Sequence, residues 1–142
     1  MRMGWIIRLL TSLSFLVAVC FSTLSAAAYA DEKGDADLMQ RACAGSPWAG
    51  PWEVLRGGNA SGTAEITFSC EGGKFRGTLL STGSTAGAPQ ELRFVRVENG
   101  AVKYQTRFDV DYELVLNEEG KLAGKGQGRA IETKIILSPS KK

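Results

Sequence analysis

The sequence predicts an all-β fold, a small antiparallel up-and-down barrel of about eight strands. Three observations carry that reading. Residues 52–137 are short runs in which apolar and polar side chains alternate, the period of a half-buried strand. Glycine-bearing turns separate the runs, and no amphipathic stretch among them is long enough for a convincing helix. Eight runs can be counted, an even number that lets an antiparallel sheet close on itself and leave no unpaired edge.

Ahead of the runs, Arg2 and Arg8 bracket an apolar stretch from Leu9 to Phe21, and small residues lead to Ala28-Tyr29-Ala30. This is the pattern of a secretory signal peptide over residues 1–30, with Ala26-Ala27-Ala28 as a second possible cut. The apolar stretch is shorter than the roughly 20 residues a membrane-spanning helix needs, so the mature chain is expected to carry no membrane span. Removing 30 of the 142 residues leaves 112, one domain with one core. Arg2 and Arg8 are the only charges in that leader, so the mature chain has 15 of the 17 basic residues against all 15 acidic ones. A neutral chain lacks the electrostatic footprint of a nucleic-acid or anionic-lipid binder.

With Cys20 in the leader, Cys43 and Cys70 remain, and a pair in an exported chain reads as a disulfide. It would close a loop of just under thirty residues and contribute about 3 kcal/mol on chain-entropy grounds. No histidine exists to complete a zinc site with two thiolates, and neither metal nor cofactor is expected.

Residues 31–51 form an N-terminal segment. Asp31 to Asp37 is charged and reads as mobile, while Leu38 to Cys43 can form one helical turn that plugs or abuts an end of the barrel. Pro47 and Pro51 exclude helix around them, and Trp48 and Trp52 need burial. The barrel, residues 52–138, opens with a strand over Trp52–Arg56 and a flexible connection. The second strand, Thr63–Cys70, puts Ala64, Ile66, Phe68 and Cys70 on one face and Glu65, Thr67 and Ser69 on the other. Gly72-Gly73 supplies the positive φ angles of a tight turn into the third strand, Phe75–Leu80. Ser81 to Gln90, rich in Ser, Thr, Gly and Ala, is the longest connection in the barrel and reads as a flap over one end.

The fourth strand is Glu91–Val97, and Asn99-Gly100 is the strongest hairpin signal in the chain. The fifth, Val102–Phe108, places Tyr104 and Phe108 on one face; the sixth, Asp111–Leu116, turns Tyr112, Leu114 and Leu116 inward. Asp109, Asp111 and Glu113 lie opposite, on the solvent side, and are expected to pair with Lys103 or Arg107. In the seventh strand Leu122, Gly124, Gly126 and Gly128 alternate, a spacing that permits bending or close approach by a bulky residue such as Trp52. The eighth, Ile131–Leu137, closes the sheet before a tail over 139–142.

Gly50-Pro51-Trp52, at the head of the first of eight antiparallel strands, resembles the G-x-W signature of the calycin superfamily, which includes lipocalins, fatty-acid-binding proteins and avidins. The resemblance implies that Trp52 closes one end of the barrel, that a late basic residue, Arg129, stacks across it, and that a small apolar ligand binds in the barrel mouth.

Catalysis is poorly supported. The absence of histidine removes the commonest general base, the disulfide removes both thiols, and no glycine-rich phosphate loop opens a helix. The expected protein is therefore a non-enzymatic, periplasmic or secreted barrel that binds a small apolar or amphiphilic molecule. Trp48, Phe68, Phe75, Phe94, Tyr104, Phe108 and Tyr112 are the candidate lining. The alternative is an envelope interaction module with a filled core, meeting a protein partner or a glycan through the Ser81–Gln90 loop and Trp48. In that setting Trp48 would be a lid, a stacking platform or a packing residue.

Overall fold

The computed structural model describes residues 32–83 and 87–140. The expected signal peptide, residues 1–30, lies outside the described residues, as do the middle of the Ser81–Gln90 connection and the last two residues of the tail. Gly34–Lys142 pack as one unit.

Among the described residues nine strands form one antiparallel sheet: β1 Trp48–Arg56, β2 Ser61–Ser69, β3 Arg76–Ser81, β4 Gln90–Glu91, β5 Arg93–Glu98, β6 Ala101–Gln105, β7 Asp111–Leu116, β8 Leu122–Gln127 and β9 Glu132–Pro139. They are ordered β4-β3-β2-β1-β9-β8-β7-β6-β5, with β1 bridging the first strands to the last. The two strands at the ends of that order, β4 and β5, are separated in the chain by Leu92 alone. They are two halves of one bent strand, which pairs with β3 at its start and with β6 afterwards. The sheet is thereby rolled into a nearly closed up-and-down barrel, the device by which antiparallel sheets avoid exposed edges.

The extra strand arises where the expected fourth strand breaks. The Leu92 N–H donates to the Gly77 carbonyl at 2.8 Å, Phe94 adopts φ of 52°, and the ladder to β6 shifts register between Arg93 and Arg96. Such a bulge changes which residues face inward. Leu92 is buried and Val95 and Val97 pack on the core, whereas Phe94 faces out.

Elsewhere the alternation is as expected. Ala64, Ile66 and Phe68 on β2, Leu114 on β7 and Leu122 on β8 are buried, and Tyr112 and Leu116 pack against them. Buried Gly126 is the site of a close approach, but the bulky partner is Tyr112 rather than Trp52: a Cβ there would lie 2.6 Å from the tyrosine ring.

The N-terminal segment differs more. A helix, α1, runs over residues 32–44, and β1 begins at Trp48 rather than Trp52. Leu38 and Ala42, four residues apart and so on one helical face, are both buried in the barrel core. The Asp35 carboxylate accepts the N–H groups of Asn99 and Gly100 at 3.2 and 2.7 Å, tying the charged stretch to the β5–β6 hairpin. Cys43 and Cys70 form a disulfide with Cα atoms 6.1 Å apart. Pro51 is tolerated inside β1 because the ladder to β9 skips Gly50 and Pro51.

The surface charges pair otherwise than expected. Asp109 meets Arg93, and Asp111 accepts from the Gln105 amide at 3.1 Å. Lys103 stands opposite Glu113 in register yet contacts Glu98 at 3.5 Å. Hydrogen bonding from Arg96 and the nearby Lys103 charge hold the Glu98 carboxyl below the usual carboxylate range. These pairs lie at the surface, where solvent screening leaves each worth little to stability.

Candidate functional site

The two ends of the barrel are finished differently. The α1 end is sealed. Trp48 is buried there, its indole N–H donating to the Ala42 carbonyl at 2.7 Å, and Gly45 leaves the space its ring occupies. Ser46 Oγ donates to the same carbonyl at 2.9 Å and accepts the Phe68 N–H at 2.8 Å, so one buried hydroxyl in the connection from α1 to β1 ties α1 to β2. Ile66, Val102, Leu114, Leu122 and Leu137, all fully buried, fill this half of the interior.

At the other end a cavity of ≈ 260 Å³ opens. That is room for roughly nine waters at about 30 Å³ each. Trp52, Val54, Ala60, Ala64, Leu79, Val110, Ile131 and Ile135 supply most of its wall, with Tyr104, Tyr112, Thr106 and Thr133 on the inner faces of β6, β7 and β9 and their turns. Phe108 stands at the mouth, 60% exposed, beneath the Arg107 guanidinium at 4.8 Å. Trp52 donates its indole N–H to the Thr63 carbonyl at 3.2 Å.

Tyr104 and Tyr112 stack in the wall with ring centroids 5.0 Å apart, and Thr133 Oγ1 donates to the Tyr112 hydroxyl at 2.9 Å. Burial pushes the Tyr104 hydroxyl well above its ordinary range, with the neighbouring Tyr112 adding to the effect; burial raises Tyr112 as well. Both remain protonated and neutral at physiological pH. Among the described residues, no Asp, Glu, Lys or Arg lines the cavity.

The mouth is shaped by the β6–β7 turn and the bent strand. The Thr106 N–H donates to the Val110 carbonyl at 3.0 Å and the Asp109 N–H to the Thr106 carbonyl at 3.1 Å, with Asp109 at φ of 57°. Arg93 binds both the Thr106 carbonyl, at 2.7 Å, and the Asp109 carboxylate. Gln90 Oε1 accepts the Arg107 N–H at 3.2 Å, which joins the end of the long connection to the same turn.

Of the seven aromatic residues expected to line a site, Tyr104, Phe108 and Tyr112 meet at this cavity. Trp48 and Phe68 are buried in the sealed half, and Phe75 stacks on Phe68 with centroids 5.3 Å apart. Phe94 is 70% exposed on the outside of the bulge. Trp52 is a wall of the cavity, while Arg129 is exposed in the β8–β9 turn and makes no ring contact among the described residues. Alternation makes Thr106 an inward position, two residues beyond Tyr104 on the same face, but a lone small polar side chain carries no sequence signal of a site.

No protein-family model, curated protein or solved structure matches the chain.

Proposed function

We propose that this protein is a non-enzymatic, periplasmic or secreted binder of a small apolar or amphiphilic molecule, held in the cavity at the open end of its barrel. The carrying observation is a hollow with an apolar wall beside a filled half sealed by α1. Protein pockets for small molecules have this construction, concave and apolar with a few placed polar groups. The resemblance of Gly50-Pro51-Trp52 to the calycin signature supports the same reading, as does the place of Trp52 in the wall. The Cys43–Cys70 disulfide is compatible with an extracytoplasmic location, and no helix among the described residues is long and apolar enough to cross a membrane.

The test is native mass spectrometry of protein purified from its own compartment, paired with Trp52 fluorescence in a Trp48→Phe background. An added small-molecule mass, and a fluorescence change on titration with short-chain apolar compounds, are expected. A clean unliganded mass with no fluorescence response to any of them refutes the reading.

A further inference from the structure

Thr106 Oγ1 is buried, the residue being only 6% exposed, and it has no hydrogen-bond partner among the described residues. A buried polar atom without a partner costs about 1–3 kcal/mol. The cost is specific to this site, because the molecule contains a second turn of the same build. There the Asn117 N–H donates to the Lys121 carbonyl at 2.9 Å and the Gly120 N–H to the Asn117 carbonyl at 3.0 Å, the pattern that Thr106 makes with Val110 and Asp109. Asn117 uses its side-chain oxygen on its own turn, accepting the Glu119 and Lys121 N–H groups at 3.0 and 2.9 Å. Thr106, at the equivalent position and itself a residue of the cavity lining, leaves its buried hydroxyl unused.

The rest of the lining narrows the chemistry further. Among the described residues no cation lines the cavity: Arg93 is engaged by Asp109 and the Thr106 carbonyl, the Arg107 guanidinium lies over the Phe108 ring, and Arg129 in the β8–β9 turn is exposed outside the lining. An ionised group drawn into such a pocket would lose its hydration with no opposite charge to replace it. A neutral hydroxyl, carbonyl or amide can instead exchange one hydrogen bond with Thr106.

We infer that the cavity is selective for an uncharged amphiphile, a short apolar body carrying one neutral hydrogen-bonding group that pairs with Thr106 Oγ1. The inference rests on the cavity being a binding site and adds the class of its occupant and the residue that reads it.

The experiment titrates the whole protein, and its Thr106→Val and Thr106→Ser variants, with 1-octanol, n-octane and octanoate at pH 7, following tryptophan fluorescence and calorimetry. Thr106→Val replaces the hydroxyl with a methyl of similar size, and it should weaken octanol about threefold to tenfold, the worth of one hydrogen bond. Octane should bind the two proteins alike, so that the difference isolates the polar contact as in a double-mutant cycle. Thr106→Ser keeps the hydroxyl and should keep octanol binding, which separates the contact from any change in packing. Octanoate should bind at least about a hundredfold more weakly than octanol. Equal effects of Thr106→Val on octanol and octane, or octanoate binding as well as octanol, would overturn this inference and leave the binding reading standing. Failure of all three compounds to bind the unaltered protein would remove the binding reading itself.

Discussion

At the sealed end of the barrel, Leu38 and Ala42 from α1 and Trp48 from β1 meet Ile66, Phe68, Val102, Leu114, Leu122 and Leu137, and a disulfide joins the helix to the end of β2. At the open end, the same strands surround ≈ 260 Å³ of space and end in a turn whose Phe108 is mostly in water. An eight-stranded barrel is only just wide enough for side chains to fill it. Here one half is filled and the other is not, so close packing and open space are allotted to opposite ends. The helix makes this possible, because it supplies apolar surface that the sheet alone would otherwise have to find within itself.

The largest effect that should separate the ends is truncation of a core side chain. Leu137→Ala, at a fully buried position in the filled half, should cost about 4 kcal/mol, within the 2–5 found when a close-packed aliphatic group is removed. Ile131→Ala, on the cavity wall and partly exposed, should cost about 1 kcal/mol, because the side chain already lacks neighbours on one side. Urea unfolding of both variants measures this. Equal losses would mean that the hollow half contributes to stability as the filled half does.

Next comes the staple. Replacing both Cys43 and Cys70 with Ser should lower stability by about 3.5 kcal/mol, the loop-closure contribution for a separation of 27 residues. Native-state hydrogen exchange should show the opening concentrated in α1 and its contacts, with the amides around Tyr104 and Tyr112 in the cavity wall less affected. Uniform loss of protection across the barrel would break the division between the ends.

Most of this barrel could be read from local pattern. The inward sets Ala64, Ile66, Phe68 and Tyr112, Leu114, Leu116 follow from alternation alone, and Asn99-Gly100 marks its hairpin unaided. What stayed hidden depends on contacts distant in sequence. Asp35 binds the N–H groups of residues 64 and 65 positions away, so nothing near it announces that a charged stretch is the first turn of a docked helix. Phe94 reads as candidate lining on an unbroken fourth strand, yet it lies on the outside. The bulge that turns it out exists because one strand must leave β3 and join β6 to close the barrel. The site divided in the same way: aromatic residues could be named as candidate lining, but which end each belonged to was decided by the helix.

Alkaline pH probes the boundary between the halves, where Tyr104 and Tyr112 stack. Burial raises both hydroxyls in the folded protein, whereas tyrosines of the unfolded chain ionise near pH 10. Their stabilising contribution is complete below about pH 10. Above that, the unfolded chain releases protons that the folded protein retains, and stability falls as pH rises toward the folded-state values. Tyr104→Phe and Tyr112→Phe should each flatten the decline, measured as unfolding midpoints between about pH 8 and 11. A slope unchanged in both variants would place the alkaline sensitivity outside this pair.

Phe108 should give the smallest stability change and the clearest separation of roles. Because its ring is 60% exposed, Phe108→Ala should shift unfolding by no more than about 0.5 kcal/mol, as exposed substitutions generally do. Phe68→Ala, the same truncation at a position 3% exposed, should cost about 3–5 kcal/mol. Binding should reverse the order. Removing Phe108 from the mouth should weaken 1-octanol several-fold, whereas Phe68 does not line the cavity, and protein retaining its fold after Phe68→Ala should bind octanol nearly as before. Calorimetry below the unfolding transition of both variants checks the reversal, and loss of octanol binding through Phe68 but not Phe108 would place the ligand in the half of the barrel that α1 closes.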